Sequence, residues 1–260
     1  MSGFAGVLTI VLAETLAGAA VLTWLSPLWD ETKRSYFTVW SVIAAALFAW
    51  PTWLAARAGA LEGDQAGAWT VRLALAAAIV VTASMALLLA RRQAPGRVVG
   101  LLSLVAMLGL LAAIAATGRQ AYPVAAFQLL VGAAFLGSAY HCLFLGHWYL
   151  TDRRLARRPI ERATLTLIVA TCLEIVAIAT GGFSGTSSSQ EFNPLLTAGA
   201  LAPWIAMGMA ATTLLIAALA RAALKGERAS AVQSATGFYY LAVVTAFTAE
   251  TAVKTRFLPG

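Results

Sequence analysis

Charge is scarce in this sequence: Asp, Glu, Lys and Arg together make up 11% of its 260 residues. A soluble domain usually carries about 25%. That shortage excludes a water-soluble globule, because too little polar surface exists to cover the rest. Cysteine numbers two. Cys142 and Cys172 both fall within apolar runs, so neither a disulfide framework nor a cysteine metal site is expected. Their expected role is that of small buried apolar side chains. Histidine also numbers two. His141 and His147 are six residues apart. On one helix that is about 9 Å along the axis and roughly 120° around it. They cannot clamp one haem, which excludes a self-contained bis-histidine cytochrome and leaves haem needing an unusual second ligand such as Met. Two such histidines make no zinc site alone, so no metal is expected. Phosphate-loop, nucleophile-elbow and metalloprotease spacings are absent. No connection between apolar runs is long enough to fold as a soluble headpiece.

What is there is apolar. The hydrophobic fraction is 60% and the mean hydropathy +0.81. Eight runs are long enough to cross a bilayer, roughly 4–26, 36–57, 71–90, 98–117, 123–149, 162–183, 194–220 and 233–253. Strands of a barrel would alternate over about ten residues, and no such alternation occurs. The sequence therefore predicts an all-α, polytopic membrane protein of eight transmembrane helices, one membrane domain over 1–260. Pro51 lies inside the second run and is expected to kink it. The first run lacks a basic leader and is longer than a signal-peptide core, so it reads as a span.

The positive charges orient the bundle. Odd-numbered loops hold 13 of the 18 basic residues: Lys33 and Arg34; Arg91, Arg92 and Arg97; Arg153 to Arg162; and Arg221, Lys225 and Arg228. Arg57, Arg72, Arg119, Lys254 and Arg256 make up the remainder. The positive-inside rule then places the odd loops in the cytoplasm and both termini outside an inner (plasma) membrane. The net charge of +7 thus reflects topology and lipid contact, not nucleic-acid binding. The first and fifth runs both end in aromatic residues, an Asp and basic residues, which suggests repeat halves 1–120 and 121–260 arranged as two four-helix bundles.

Ionisable groups inside a bilayer are costly and are the first functional candidates. Five fall within the spans: Glu14, His141, His147, Glu174 and Glu250. Glu14 and Glu174 are expected to exchange protons or to tie helices together. Glu250 is expected to snorkel, or to pair with Lys254 or Arg256. The run Gly146-His147-Trp148-Tyr149-Leu150 sits at the inner end of its span. It reads as an aromatic anchor or as part of a quinone or lipid-headgroup pocket, with His147 and Tyr149 as donors. The outer loop 181–190 is polar, uncharged and expected to be a connector.

The closing segment, Ala249-Glu250-Thr251-Ala252-Val253-Lys254-Thr255-Arg256-Phe257-Leu258, resembles the end of the polysulfide-reductase and dimethyl-sulfoxide-reductase type membrane anchors. That resemblance implies an eight-span, haem-free subunit built as two bundles. It also implies electron exchange between quinol and an iron–sulfur partner, with Glu250 and Arg256 as site residues. The expected function is a membrane subunit of a respiratory or electron-transfer complex. It would anchor redox partners and bind quinone near the interface, with Glu14, Glu174 and Glu250 handling protons and His141, His147, Trp148, Tyr149 and Arg256 at the quinone. The rival expectations are a proton-coupled small-solute transporter and a purely structural, lipid-binding assembly subunit.

Overall fold

A computed structural model describes residues 2–26, 34–118, 120–151, 155–181, 201–226 and 230–257. All regular structure in them is helical. The helices are α1 (Gly3–Leu25), α2 (Arg34–Ile43), α3 (Trp50–Gly59), α4 (Gln65–Leu89) and α5 (Gln93–Thr117). They continue with α6 (Tyr122–Thr151), α7 (Arg158–Thr180), α8 (Leu201–Leu224) and α9 (Ser230–Lys254). Seven stretches among the described residues are long and apolar enough to cross a membrane. α9 is also long enough, at 25 residues, but is less apolar. Lys33, Arg119, Arg153, Arg154, Arg228 and most of the 181–190 loop lie outside the described residues, as do positions 194–200 of the seventh run.

The second span is one interrupted helix. α2 passes through a six-residue π-helical segment, Ala44–Ala49, into α3. The Trp50 N–H donates to the Ala45 carbonyl, and Pro51 occupies the first turn of α3. The wide turn accommodates a proline that has no N–H to give to a regular ladder.

α1 and α6 form the centre. About four-fifths of their apolar stretches is buried (78%), against 33% in α4 and 39% in α5. α1 packs along α6, and also on α3 and α5. α4 bridges α3 and α5, while α6, α7, α8 and α9 each pack on the next, with α9 returning to α6. The α1–α6 seam is closest at Gly18 and Gly137. A Cβ on Gly18 would lie 1.7 Å from the Ala133 carbonyl oxygen, and one on Gly137 would lie 2.4 Å from the Gly18 Cα. Only glycine permits this approach, which gives dispersion contact where no hydrophobic drive operates between helices in lipid. The outward faces are apolar, as at Val105, Leu215 and Val244.

Backbone polarity is satisfied within each helix, as a bilayer demands. Most buried hydroxyls follow the same rule and donate to a carbonyl one turn back. Thr15 bonds Val11, Ser41 bonds Phe37, Thr52 bonds Phe48 and Thr171 bonds Leu167. A few tie helices together, as Thr164 does with Tyr239 at 2.6 Å and Ser84 with the Gly96 carbonyl at 2.8 Å.

Candidate functional site

Two features stand apart from this apolar bundle. The first is a cavity of about 410 Å³ between α1, α2, α6 and α7. Its apolar lining includes Leu22, Leu145, Ala163 and Leu165. Its polar groups are Tyr36, His141, Ser26, Thr166 and Arg162. Tyr36 is fully buried and His141 is nearly so. The His141 Nδ1 lies 3.4 Å from both the Tyr36 hydroxyl and the Thr23 hydroxyl. The Tyr36 ring packs on Phe144 at 4.8 Å and edge-on to Trp148 at 5.6 Å, which fixes where its hydroxyl points. Leu165 is about half exposed on the outward side of α7, so the cavity mouth meets the apolar surface. The cavity lies at the end where basic connections gather: Arg157 donates to the Gly226 carbonyl, and Arg97 lies over the Phe37 ring at 4.5 Å.

The second feature is a closed charged cluster in the opposite half of the same α1–α6 seam. The Lys254 Nζ is 2.8 Å from the Glu14 Oε1 and 3.0 Å from the Glu250 Oε2. It also donates to the Gln128 carbonyl at 3.4 Å. Glu174 of α7 lies within hydrogen-bonding reach of Glu250. Glu14, Glu250 and Lys254 are at most 1% exposed and Glu174 is 2% exposed. Gly132 of α6 makes room for them, since a Cβ there would lie 2.5 Å from the Glu14 Oε1 and 2.9 Å from the Lys254 Nζ. Phe257 caps the cluster, its ring centre 5.3 Å from the ammonium.

Comparison with protein-family models, curated proteins and solved structures finds no match.

Glu14, Glu174 and Glu250 come from three helices into one cluster. Glu250 pairs with Lys254 and does not reach the surface. His141 lines the cavity. His147 does not; it is exposed and its ring nitrogens lie 3.1–3.2 Å from the Tyr240 hydroxyl of α9. Tyr149 donates to the Ala156 carbonyl and so braces the turn into α7. Trp148 supports Tyr36 from behind. The Arg256 side chain lies outside the described residues.

Tyr36 and Thr23 are not singled out by the sequence, and Lys254 is expected there as a topology charge and as one possible partner of Glu250, but not as the partner of Glu14. Lys254 is the last residue of α9, and a helical side chain leans toward the N-terminus of its helix. A lysine at this C-terminus therefore points back into the bundle, opposite to the usual outward snorkel. The i,i+4 spacing from Glu250 was the available signal. Tyr36 and Thr23 carry no sequence signal of their own, because they meet His141 only through tertiary packing.

Proposed function

We propose that this chain is a membrane subunit of an electron-transfer complex that binds a quinone in the His141 cavity, with redox centres on partner chains. The observation that carries this reading is the pairing of an apolar, lipid-facing chamber with hydrogen-bond donors at its buried wall. A quinone needs an apolar slot, donors at its carbonyl oxygens and entry from the bilayer. The volume falls within the usual range of roughly 300–1,000 Å³ for small-molecule sites. Tyr36 and His141 are the donors to one carbonyl, and Arg162 stands near the mouth. The resemblance of the closing segment to quinol-linked membrane anchors points the same way. So does the way the helix contacts close into two circuits of four spans, one from α1 to α5 and one from α6 to α9. In this reading the cavity lies on the cytoplasmic side of an inner membrane and both termini lie outside.

The test is isolation of the chain from its native membrane in mild detergent, with its co-purifying proteins identified and its organic extract assayed for quinone. Redox-protein partners and a near-stoichiometric quinone are expected. A chain recovered alone and free of quinone overturns the reading. One observation favours a second reading, a proton-coupled carrier. The same helix seam holds an open cavity at one end and a sealed ion cluster at the other. Solute flux in proteoliposomes with no redox partner would select it.

A further inference from the structure

The cluster at Lys254 is separate from the cavity. Nine residue steps along α1, roughly 14 Å, separate Glu14 from the Thr23 that contacts His141. Its composition is unbalanced, with three carboxyls from α1, α7 and α9 against one ammonium. Among the described residues, the charges that act on Glu14, Glu174 and Lys254 belong to this group of four. α6 adds only the Gln128 carbonyl and the space above Gly132. If all three carboxyls were ionised, the group would hold two negative charges without compensation. A buried charge of that kind is far too costly to keep.

The hydrogen bonding is incomplete in the same sense. The Glu14 Oε2, the Glu174 Oε2 and the Glu250 Oε1 are fully buried and have no hydrogen-bond partner among the described residues. Glu174 faces Glu250, yet ionised carboxylates only accept. A proton between them turns an acceptor–acceptor contact into a hydrogen bond. A metal ion is a poorer complement, because the Lys254 ammonium already stands 2.8 Å from Glu14 and 3.0 Å from Glu250 and would repel a second cation.

We propose that Glu14, Glu174, Glu250 and Lys254 form a proton-exchange site, in which Glu174 and Glu250 share a titrating proton while Lys254 stays charged. Two protons among the three carboxyls make the resting group neutral. On release, one O–H bond of a carboxyl breaks and its proton passes to water. The carboxylates of Glu14 and Glu250 then flank the ammonium, Glu174 keeps the second proton, and the group carries one net negative charge. Uptake reverses the step, and no electrons move. The exit is the short Thr255–Phe257 turn at the end of α9, where Phe257 closes the site.

The test is infrared spectroscopy of the full chain in lipid nanodiscs, titrated with base in choline buffer and again in sodium buffer. A carboxylic-acid carbonyl band is expected that shifts in deuterated water and is lost reversibly at high pH. The band should behave alike in both buffers. Glu174→Gln and Glu250→Gln should each remove part of it, and the double variant at least half. Thermal melting of each variant shows whether it is folded. A wild-type chain with no such band overturns the proposal without reference to any variant. So does a band that sodium abolishes, which would mark a cation site, or one that keeps more than half its intensity in a folded double variant.

Discussion

Replacing Lys254 with methionine keeps the length and apolar bulk of the side chain and removes only the charge. The structure fixes what is lost. The ammonium stands 2.8 Å from Glu14 and 3.0 Å from Glu250, with all three groups buried. At an effective dielectric of about 20, each such contact gains about 6 kcal/mol of Coulomb energy before desolvation is counted. Desolvation of three ions offsets most of that gain, so the net value of the cluster is small. Removal of one partner is different, because the carboxylates stay buried and lose their compensation. Breaking a buried pair in this way costs about 3–5 kcal/mol. For a chain of this size that is a fall in melting midpoint on the order of 10 °C. The assay is thermal melting in nanodiscs, followed by the monodisperse fraction on size exclusion. Lys254→Met should show the full loss at high pH and a smaller loss in acid, where protons neutralise the uncompensated carboxylates. Adding Glu14→Gln and Glu250→Gln to Lys254→Met should recover at least half of the midpoint. A Lys254→Met chain that melts within about 2 °C of the parent at high pH would refute the reasoning.

Gly132→Ala should cost about 1–3 kcal/mol, because its Cβ would press on Glu14 and Lys254, which are buried and held to each other by their ion pair. Gly208→Ala on the exposed side of α8, where a Cβ meets nothing within 4 Å, should instead gain up to about 1 kcal/mol; the same melting assay separates the two. Asp64 precedes α4 outside the membrane, and the Gly67 N–H holds its carboxyl below the ordinary value of 3.8. The folded state therefore favours the ionised form, and the stability this adds is full above that value and lost as pH falls through the depressed one. Asp64→Ala should cost about 1 kcal/mol at neutral pH and progressively less in strong acid; an equal cost at both pH values would contradict the cap.

The helical, multi-pass character was legible because lipid imposes it. Apolar runs near 20 residues and a shortage of charge admit few other structures. The rarity of Glu14, Glu174 and Glu250 within the runs also marked them, and they do meet. The sequence offered Lys254 as one possible partner of Glu250 but not as the ammonium that also holds Glu14. Counting lysines and arginines by loop treats each as a point at its own Cα, and Lys254 extends several ångströms back into the bundle. The interruption of the second span was marked by Pro51, but not its form as a π-helical segment ahead of the proline. At the cavity, the roughly 120° around the helix between two histidines decided matters. His141 and His147 share a helix, yet only His141 faces α1 and α2, while His147 looks outward to Tyr240. Helical period alone separates the two faces and does not say which of them meets Tyr36.

The quinone reading is tested most directly by titrating the chain in nanodiscs with a short-chain quinone and following the quenching of tryptophan fluorescence, since Trp148 packs against Tyr36. Saturable quenching is the expected result. It should weaken about tenfold in His141→Leu and in Tyr36→Phe, in keeping with the loss of a buried hydrogen bond, and stay unchanged in His147→Leu. Quenching that never saturates, or that saturates alike in all four proteins, would contradict quinone binding in this cavity.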